Sequence, residues 1–169
     1  MTEDPTCAVA HGHAPAEPST RTLVAVFTSP VAEFLLRYAS DVGYRPILLE
    51  PGPDRAGLPG VKQVTSYAEC SGPGTDVVVT DHHRPELGVM LRDILAAQAG
   101  WIGLMGNPRH QGPHVAALTA LGVPATQIAR VHRPIGLNIG SKAPAEIAIA
   151  TIAGLIATHH DCPGGFSFG

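Results

Sequence analysis

TLVAVFTSPVAEFLLRYASDVGYRPILLE, residues 22–50, is the stretch of the sequence that decides the fold. It begins with an unbroken apolar run, Leu23 to Phe27, which is typical of a strand buried on both faces. Ser29 and Pro30 follow as the N-cap and the first position of a helix. Apolar residues at three- and four-residue spacing continue that helix, and a second apolar run ends at Glu50. This order of strand, helix and strand is a β-α-β unit.

The same alternation continues along the chain, because apolar runs bounded by Gly or Pro are separated by segments with helical spacing. The predicted strands are 23–27, 45–50, 61–65, 76–80 and 101–105, and the predicted helices or single turns are 30–41, 66–70, 85–99, 115–121, 126–130 and 144–158. Strands that alternate with helices form a parallel sheet covered on both faces. We therefore predict one Rossmann-like α/β domain over 21–160, a doubly wound parallel sheet in three α/β/α layers.

The two ends of the chain are predicted to be tails. Residues 1–20 are polar and rich in Pro and small residues, which is typical of disorder, and 161–169 form a short C-terminal tail. Residues 1–20 also lack the basic start and apolar segment of a secretory signal. The longest apolar stretch, 147–157, is shorter than the roughly 20 residues of a membrane span. We therefore expect a cytoplasmic protein with no membrane contact.

The composition narrows the class of function. Hydrophobic residues make up 44% of the 169 residues, which is enough for a single core. The 11 Lys and Arg against 14 Asp and Glu give a net charge of −3, which disfavours a nucleic-acid partner. Cys7, Cys70 and Cys162 lie far apart, so we predict neither a disulfide framework nor a CxxC metal site.

Ligands of doubly wound sheets bind outside the carboxyl ends of the strands, and the segment after the first strand is the usual phosphate loop. Here that segment lacks the GxGxxG glycines, which disfavours NAD(P) or FAD. Thr28 and Ser29 can still offer hydroxyl and N–H groups to an anion, although Ser29 could serve only as a helix cap. Glu50 ends the second strand, where an acid commonly bonds ribose hydroxyls; it could equally face solvent.

Polar residues also follow the strand at 76–80. Asp81 and His82 could form a proton-transfer pair, in which the carboxylate orients the imidazole. Alternatively, Asp81 only caps the next helix and the adjacent histidines are solvated. No catalytic residue is assigned.

Gly106, Asn107 and Arg109 follow the strand at 101–105. A guanidinium beside such a turn could hold a phosphate or carboxylate through two hydrogen bonds. His110 and His114 have the spacing of a helical metal pair, but a Gly-Pro pair between them interrupts the helix. We therefore predict no metal site.

The loop before the last predicted helix is rich in glycine. PIGLNIGS, residues 134–141, places Gly136 and Gly140 on either side of Asn138. Such a loop lets a ligand or a partner approach the backbone closely, or it is simply a turn. The helix 144–158 is apolar on nearly all faces, which predicts burial in the core or at a contact between two copies.

Three stretches together resemble a known family: DVVVTDHH at 76–83, WIGLMGN at 101–107 and PIGLNIGSKAPAEIA at 134–148. They are similar to the C-terminal Rossmann domain of XdhC/CoxI-type accessory proteins, over roughly 22–158. The resemblance implies a factor that assists the maturation of molybdenum hydroxylases such as xanthine dehydrogenase and carbon monoxide dehydrogenase. It also implies the molybdenum cofactor, a pterin that carries a phosphate or a dinucleotide, as ligand, and the hydroxylase apo-enzyme as partner.

We therefore expect a factor, non-catalytic or only weakly catalytic, that binds the molybdenum cofactor or a related nucleotide at the strand carboxyl ends. The residues predicted to bind it are Thr28, Ser29, Glu50, Asp81, His82, Gly106, Asn107, Arg109, Gly136, Asn138 and Gly140. One alternative is an NAD(P)-dependent oxidoreductase of small substrates. Another is a non-catalytic interaction module, a homodimer for example, with a degenerate nucleotide site.

Overall fold

The computed structural model describes residues 5–15, 20–52, 54–107 and 109–165. Across these residues it shows one sheet of six strands in the order β3-β2-β1-β4-β5-β6, with every neighbouring pair parallel. The strands are β1 (Thr22–Val26), β2 (Arg45–Leu49), β3 (Lys62–Val64), β4 (Gly72–Val79), β5 (Ala99–Leu104) and β6 (Val131–His132). The predicted doubly wound parallel sheet is confirmed.

Helices cover both faces of this sheet. The helices of the described residues are α1 (Pro5–Ala10), α2 (Pro30–Asp41), α3 (Leu87–Ala96), α4 (Pro113–Ala120), α5 (Ala125–Ile128) and α6 (Pro144–His159), with a 3₁₀ turn at Tyr67–Glu69. Every residue of β1 is buried, and alternate side chains enter different cores. Val24 packs with residues of α3 on one face, while Leu23 packs with residues of α2 and α6 on the other. The sheet and the helices packed on its two faces are the three predicted layers, and one core lies on each face of the sheet.

The main differences from the sequence-based expectation concern β6, α3 and α1, and β4 begins at Gly72 rather than at residue 76. The strand β6 was not predicted, because two residues give no periodic pattern, and it pairs with β5 only through Ile102–Val131 and Gly103–His132. The helix predicted over 85–99 is shorter, since β5 already begins at Ala99. The helix α1 lies within the segment that we predicted to be a tail. None of the helices in the described residues is long and apolar enough to cross a membrane.

The order of the strands also sets the position of the functional edge. After β1 the chain adds β2 and β3 on one side, and it then crosses to add β4, β5 and β6 on the other. The order therefore reverses between β1 and β4. The loops at the carboxyl ends of these two strands border the crevice in which doubly wound sheets bind ligands.

Candidate functional site

The turn after β1 is made by Phe27 rather than by a glycine. Its φ of +74° lies in the left-handed region, which costs a non-glycine residue on the order of 1–2 kcal/mol. Its N–H donates to the Leu49 carbonyl at 2.9 Å, and its carbonyl accepts from the Thr80 hydroxyl at 2.9 Å. The Arg84 guanidinium lies 4.5 Å from the centre of the buried ring. The chain thus keeps a sharp turn at this position without the fingerprint glycine.

Ser29 is used by the fold itself. Its hydroxyl accepts from the Ala32 N–H at 3.0 Å, which caps α2, and donates to the Thr80 hydroxyl at 3.0 Å across the crevice. Thr28 differs, because its hydroxyl oxygen is buried and has no hydrogen-bond partner among the described residues. Of the two predicted hydroxyl groups, the Thr28 hydroxyl therefore has unused hydrogen-bonding capacity.

Glu50 is fully buried, and both of its carboxylate oxygens accept hydrogen bonds from within the chain. Arg84 donates to them at 2.9 and 3.1 Å, and the N–H groups of Thr28 and Gly52 donate at 2.8 and 3.1 Å. Burial alone would raise the pKa of Glu50, but these donors lower that pKa to about 2. A ribose hydroxyl could reach this carboxylate only by displacing one of these donors. The geometry thus supports an internal role for Glu50.

Asp81 and His82 lie at the carboxyl end of β4, as predicted. Asp81 accepts from the backbone N–H of His83 at 2.9 Å, and within the described residues no hydrogen bond joins this carboxylate to an imidazole. The rings of His82 and His83 are 4.1 Å apart. Burial lowers the pKa of His82, and the neighbouring His83 and Arg133 lower it further. The proposed orientation of an imidazole by Asp81 is therefore not seen.

The loop after β5 brings together Gly106, Asn107 and Arg109. The Asn107 side chain accepts from the Arg109 N–H at 2.9 Å, and the Arg109 side chain is exposed. A fourth residue, Arg133, joins them from the end of β6, and it donates to the carbonyls of Asn107 and His110, each at 2.8 Å. A Cβ on Gly106 would stand 2.7 Å from Arg133 Nη2, so a side chain at this position would displace the guanidinium.

Sequence reasoning missed Arg133 and His114 as members of this edge. Both carry a buried nitrogen without a hydrogen-bond partner, Nε in Arg133 and Nδ1 in His114. A signal was present in the sequence, since residues 94–145 contain no Asp or Glu. The same stretch carries four basic residues, Arg109, Arg130, Arg133 and Lys142. In a chain with a net charge of −3, this stretch is therefore locally basic.

The glycine-rich loop before α6 packs against that helix. Gly136 has a φ of +81°, and a Cβ there would stand 3.1 Å from backbone atoms of Ala150. Leu137 also donates its N–H to the Ala150 carbonyl at 3.0 Å. Asn138 and Gly140 are exposed, and a Cβ on Gly140 would meet nothing within 4 Å. Of the two readings left open for this loop, close packing thus accounts for Gly136.

We expect Gly136→Ala to lower the free energy of unfolding by about 2–4 kcal/mol, because the methyl group meets helix backbone at an unfavourable φ. Gly140→Ala is the matched control, since Gly140 also has a positive φ of +71° but open space around it. It should lose only about 1–2 kcal/mol. Urea unfolding measures both, and equal losses would show that packing against α6 is unimportant.

Comparison with known proteins identifies relatives. Residues 23–155 match the family model of the XdhC Rossmann domain. The uncharacterized protein YqeB of Escherichia coli (strain K12) is 35% identical over 75 residues, which cover 44% of this chain and 14% of YqeB. A crystal structure from Bacillus halodurans, described as a xanthine dehydrogenase, shares the fold with a TM-score of 0.66 at 22% identity. That match covers 87% of this chain and 45% of the other, so the chain spans less than half of either relative.

Proposed function

The chain belongs to the XdhC Rossmann domain family, and on this premise we propose that it is an accessory factor for a molybdenum hydroxylase. In this proposal it assists the maturation of an enzyme of the xanthine dehydrogenase or carbon monoxide dehydrogenase type. Its ligand is the molybdenum cofactor or a related nucleotide, bound at the strand carboxyl ends. The cofactor is cargo, which the chain protects and presents to the apo-enzyme.

One observation carries this proposal. Among the described residues, three buried side-chain atoms have no hydrogen-bond partner: Thr28 Oγ1, His114 Nδ1 and Arg133 Nε. All three belong to segments that follow the carboxyl ends of strands, namely β1, β5 and β6. Leaving a buried polar group unpaired costs about 1–3 kcal/mol, so such atoms are expected where a ligand binds.

The charges at this edge favour an anionic ligand. Arg84 forms ion pairs with Glu50 and Glu86, which cancel its charge. Arg109 and Arg133 form no ion pair with a carboxylate in the described part of the chain. A pterin that carries a phosphate needs such donors as well as hydroxyl and amide groups. Thr28 and Asn107 supply those groups at the same edge of the sheet.

Thermal unfolding of the purified chain tests the proposal, with molybdopterin, NADH, NADPH, FAD and AMP as added ligands. We expect stabilisation by molybdopterin, of about 2.7 kcal/mol when its concentration is one hundred times Kd. A shift with NADH or NADPH accompanied by turnover would instead establish the oxidoreductase alternative. If none of these compounds shifts the unfolding temperature, the non-catalytic interaction module is the hypothesis that remains.

A pair of variants locates the binding edge. Arg109→Ala should weaken the stabilisation by molybdopterin, because it removes an exposed charge beside the Asn107 turn. Arg92→Ala is the matched control, since Arg92 is an exposed residue of α3 that pairs with Asp93. An unchanged response in Arg109→Ala would remove Arg109 from the site.

A further inference from the structure

Arg133 is a partly buried cation whose hydrogen bonds go to main-chain carbonyls. Two of its nitrogens donate to the carbonyls of Asn107 and His110, and the third, Nε, is buried without a partner. In the described residues no carboxylate contacts this guanidinium, in contrast to Arg84. Its charge is therefore uncompensated by the fold, and carbonyl dipoles hold the group in place.

His114 lies next to Arg133 at the start of α4. It is only 6% exposed, and its Nδ1 has no partner. The N-cap of this helix, Gly112, lies between the two side chains. A Cβ on Gly112 would stand 2.5 Å from His114 Nδ1 and 3.0 Å from Arg133 Cδ. Because Gly112 has no side chain, the His114 ring and the aliphatic part of Arg133 can both lie close to the start of α4.

The start of α4 adds a backbone N–H and a helix dipole that can attract an anion. Gly112 has no side chain to cap the helix, and no side-chain capping bond is formed there. Pro113 at the first helical position has no N–H, and Val115 donates its N–H to the Gly112 carbonyl at 3.4 Å. In this turn the His114 N–H and the helix dipole therefore remain to attract a negative charge. The stretch of sequence that contains α4 and Arg133, 94–145, has no acidic residue. Three independent features therefore converge: an uncompensated guanidinium, a buried unpartnered imidazole and an uncapped helix start.

We propose that Arg133, His114 and the first turn of α4 form a subsite for a phosphate group, the Arg133 subsite. This inference rests on the proposed function, in that the phosphate belongs to a ligand of the same edge. The Arg133 subsite is distinct from the loop after β1, where dinucleotide-binding folds usually hold a phosphate. In that loop the Ser29 hydroxyl caps its own helix, and the Thr28 N–H already donates to Glu50.

Binding at the Arg133 subsite should take up protons. Burial lowers the pKa of His114, and Arg133 lowers it further. His82 has a lowered pKa for the same reasons and because of His83, while Asp81 and the Met105 backbone oppose the change. A bound phosphate favours the protonated imidazoles and so raises these pKa values. For a phosphate ligand whose own charge stays constant, the affinity is therefore expected to rise as the pH falls through the pKa that each imidazole has in the complex.

The test uses the full chain labelled with ¹⁵N and titrated with inorganic phosphate and then with pyrophosphate. We expect the largest shifts of amide resonances in the first turn of α4, at His114 and Val115. Shifts confined to Thr28 and Ser29 would place the anion in the loop after β1 and overturn the proposal. The same result would follow from the absence of any shift at millimolar pyrophosphate. Because it uses the unmodified chain, this measurement does not depend on the folding of a variant.

A pair of arginine variants gives the second measurement. Arg133→Gln should weaken pyrophosphate binding about tenfold or more, because a charge-assisted hydrogen bond is lost. Arg130→Gln removes the same charge from the opposite end of β6, where Arg130 donates to the Leu95 carbonyl. It should bind pyrophosphate like the unmodified chain. Equal losses in the two variants would show a general charge effect and contradict the subsite.

Organic ligands separate this inference from the proposed function. If molybdopterin binds equally well to the unmodified chain and to Arg133→Gln, the subsite falls and the proposed function stands. If pyrophosphate binds through Arg133 and molybdopterin does not bind, the subsite stands and the proposed function falls. An AMP affinity that depends on Arg133 supports the subsite and identifies a nucleotide as one source of the phosphate.

Discussion

Arg84→Met is expected to lower the free energy of unfolding by about 3–5 kcal/mol, because it breaks a buried ion pair from one side. The Arg84 side chain is only 5% exposed, and Glu50 opposite it is 0% exposed. Without the guanidinium, the Glu50 carboxylate keeps only the N–H donors of Thr28 and Gly52. The Phe27 ring also loses the cation packed on it at a strained turn.

The matched control for this variant is Arg92→Met on α3. Arg92 also pairs with a carboxylate, but the side chains of Arg92 and Asp93 are 45% and 46% exposed. An exposed pair of this kind is worth about 0–1 kcal/mol. Urea unfolding at pH 7 compares the two variants. If both variants lose a similar free energy of unfolding, burial does not strengthen the contribution of the Arg84–Glu50 pair.

The pH dependence gives this prediction a second readout. The pKa of Glu50 lies at about 2 in the folded chain, below its ordinary value of 4.5. Its contribution to stability is therefore complete above pH 4.5 and is lost as the pH falls through 2. In Arg84→Met, burial without the guanidinium raises the pKa of Glu50, so acid neutralises the carboxylate and favours the folded variant. The difference between the unmodified chain and Arg84→Met should thus shrink from pH 7 to pH 3.

Asp76→Asn is expected to lower the free energy of unfolding by about 3 kcal/mol. Asp76 belongs to a network of polar side chains away from the carboxyl ends of the strands. Asp76 is fully buried near the middle of β4, and both oxygens accept from Arg21 at 3.1 Å. Nε2 of His159, the last residue of α6, lies 2.7 Å from one of these oxygens. An amide has the same shape, but it lacks the charge and directs an NH₂ group at one of these partners.

Asp93→Asn is the control for Asp76→Asn, because it removes an exposed carboxylate that is also paired with an arginine. It should change the free energy of unfolding by less than about 1 kcal/mol. Guanidinium chloride unfolding measures both variants. If Asp76→Asn unfolds at the same denaturant concentration as the unmodified chain, Asp76 does not tie β4 to Arg21 and α6.

Local sequence patterns were sufficient to place most of the elements. An apolar run such as 23–26 is a strand because each residue must be buried on one of two faces, and this requirement is visible in the run itself. The strand β6 had no such signal, since it exists only through two pairings with β5. The same reasoning explains the boundaries of α3, which ends early so that β5 can begin at Ala99.

The candidate site divides in the same way. Sequence alone determined the edge, because all strands of a parallel sheet end on the same side, and Thr28, Asp81 and Asn107 follow such ends. It also determined the relationship to the XdhC Rossmann domain, since the motifs at 76–83, 101–107 and 134–148 are local.

Only the tertiary structure decided which polar groups form hydrogen bonds within the chain and which remain unpaired. Glu50 is occupied by Arg84, 34 residues away, and Ser29 bonds Thr80 across 51 residues. Arg133 reaches the Asn107 carbonyl across 26 residues. A hydrogen bond depends on the position of its partner in space, and no local pattern encodes pairs this far apart. The sequence therefore predicts the end of the sheet at which a ligand would bind, and the folded chain decides which donors remain unpaired there.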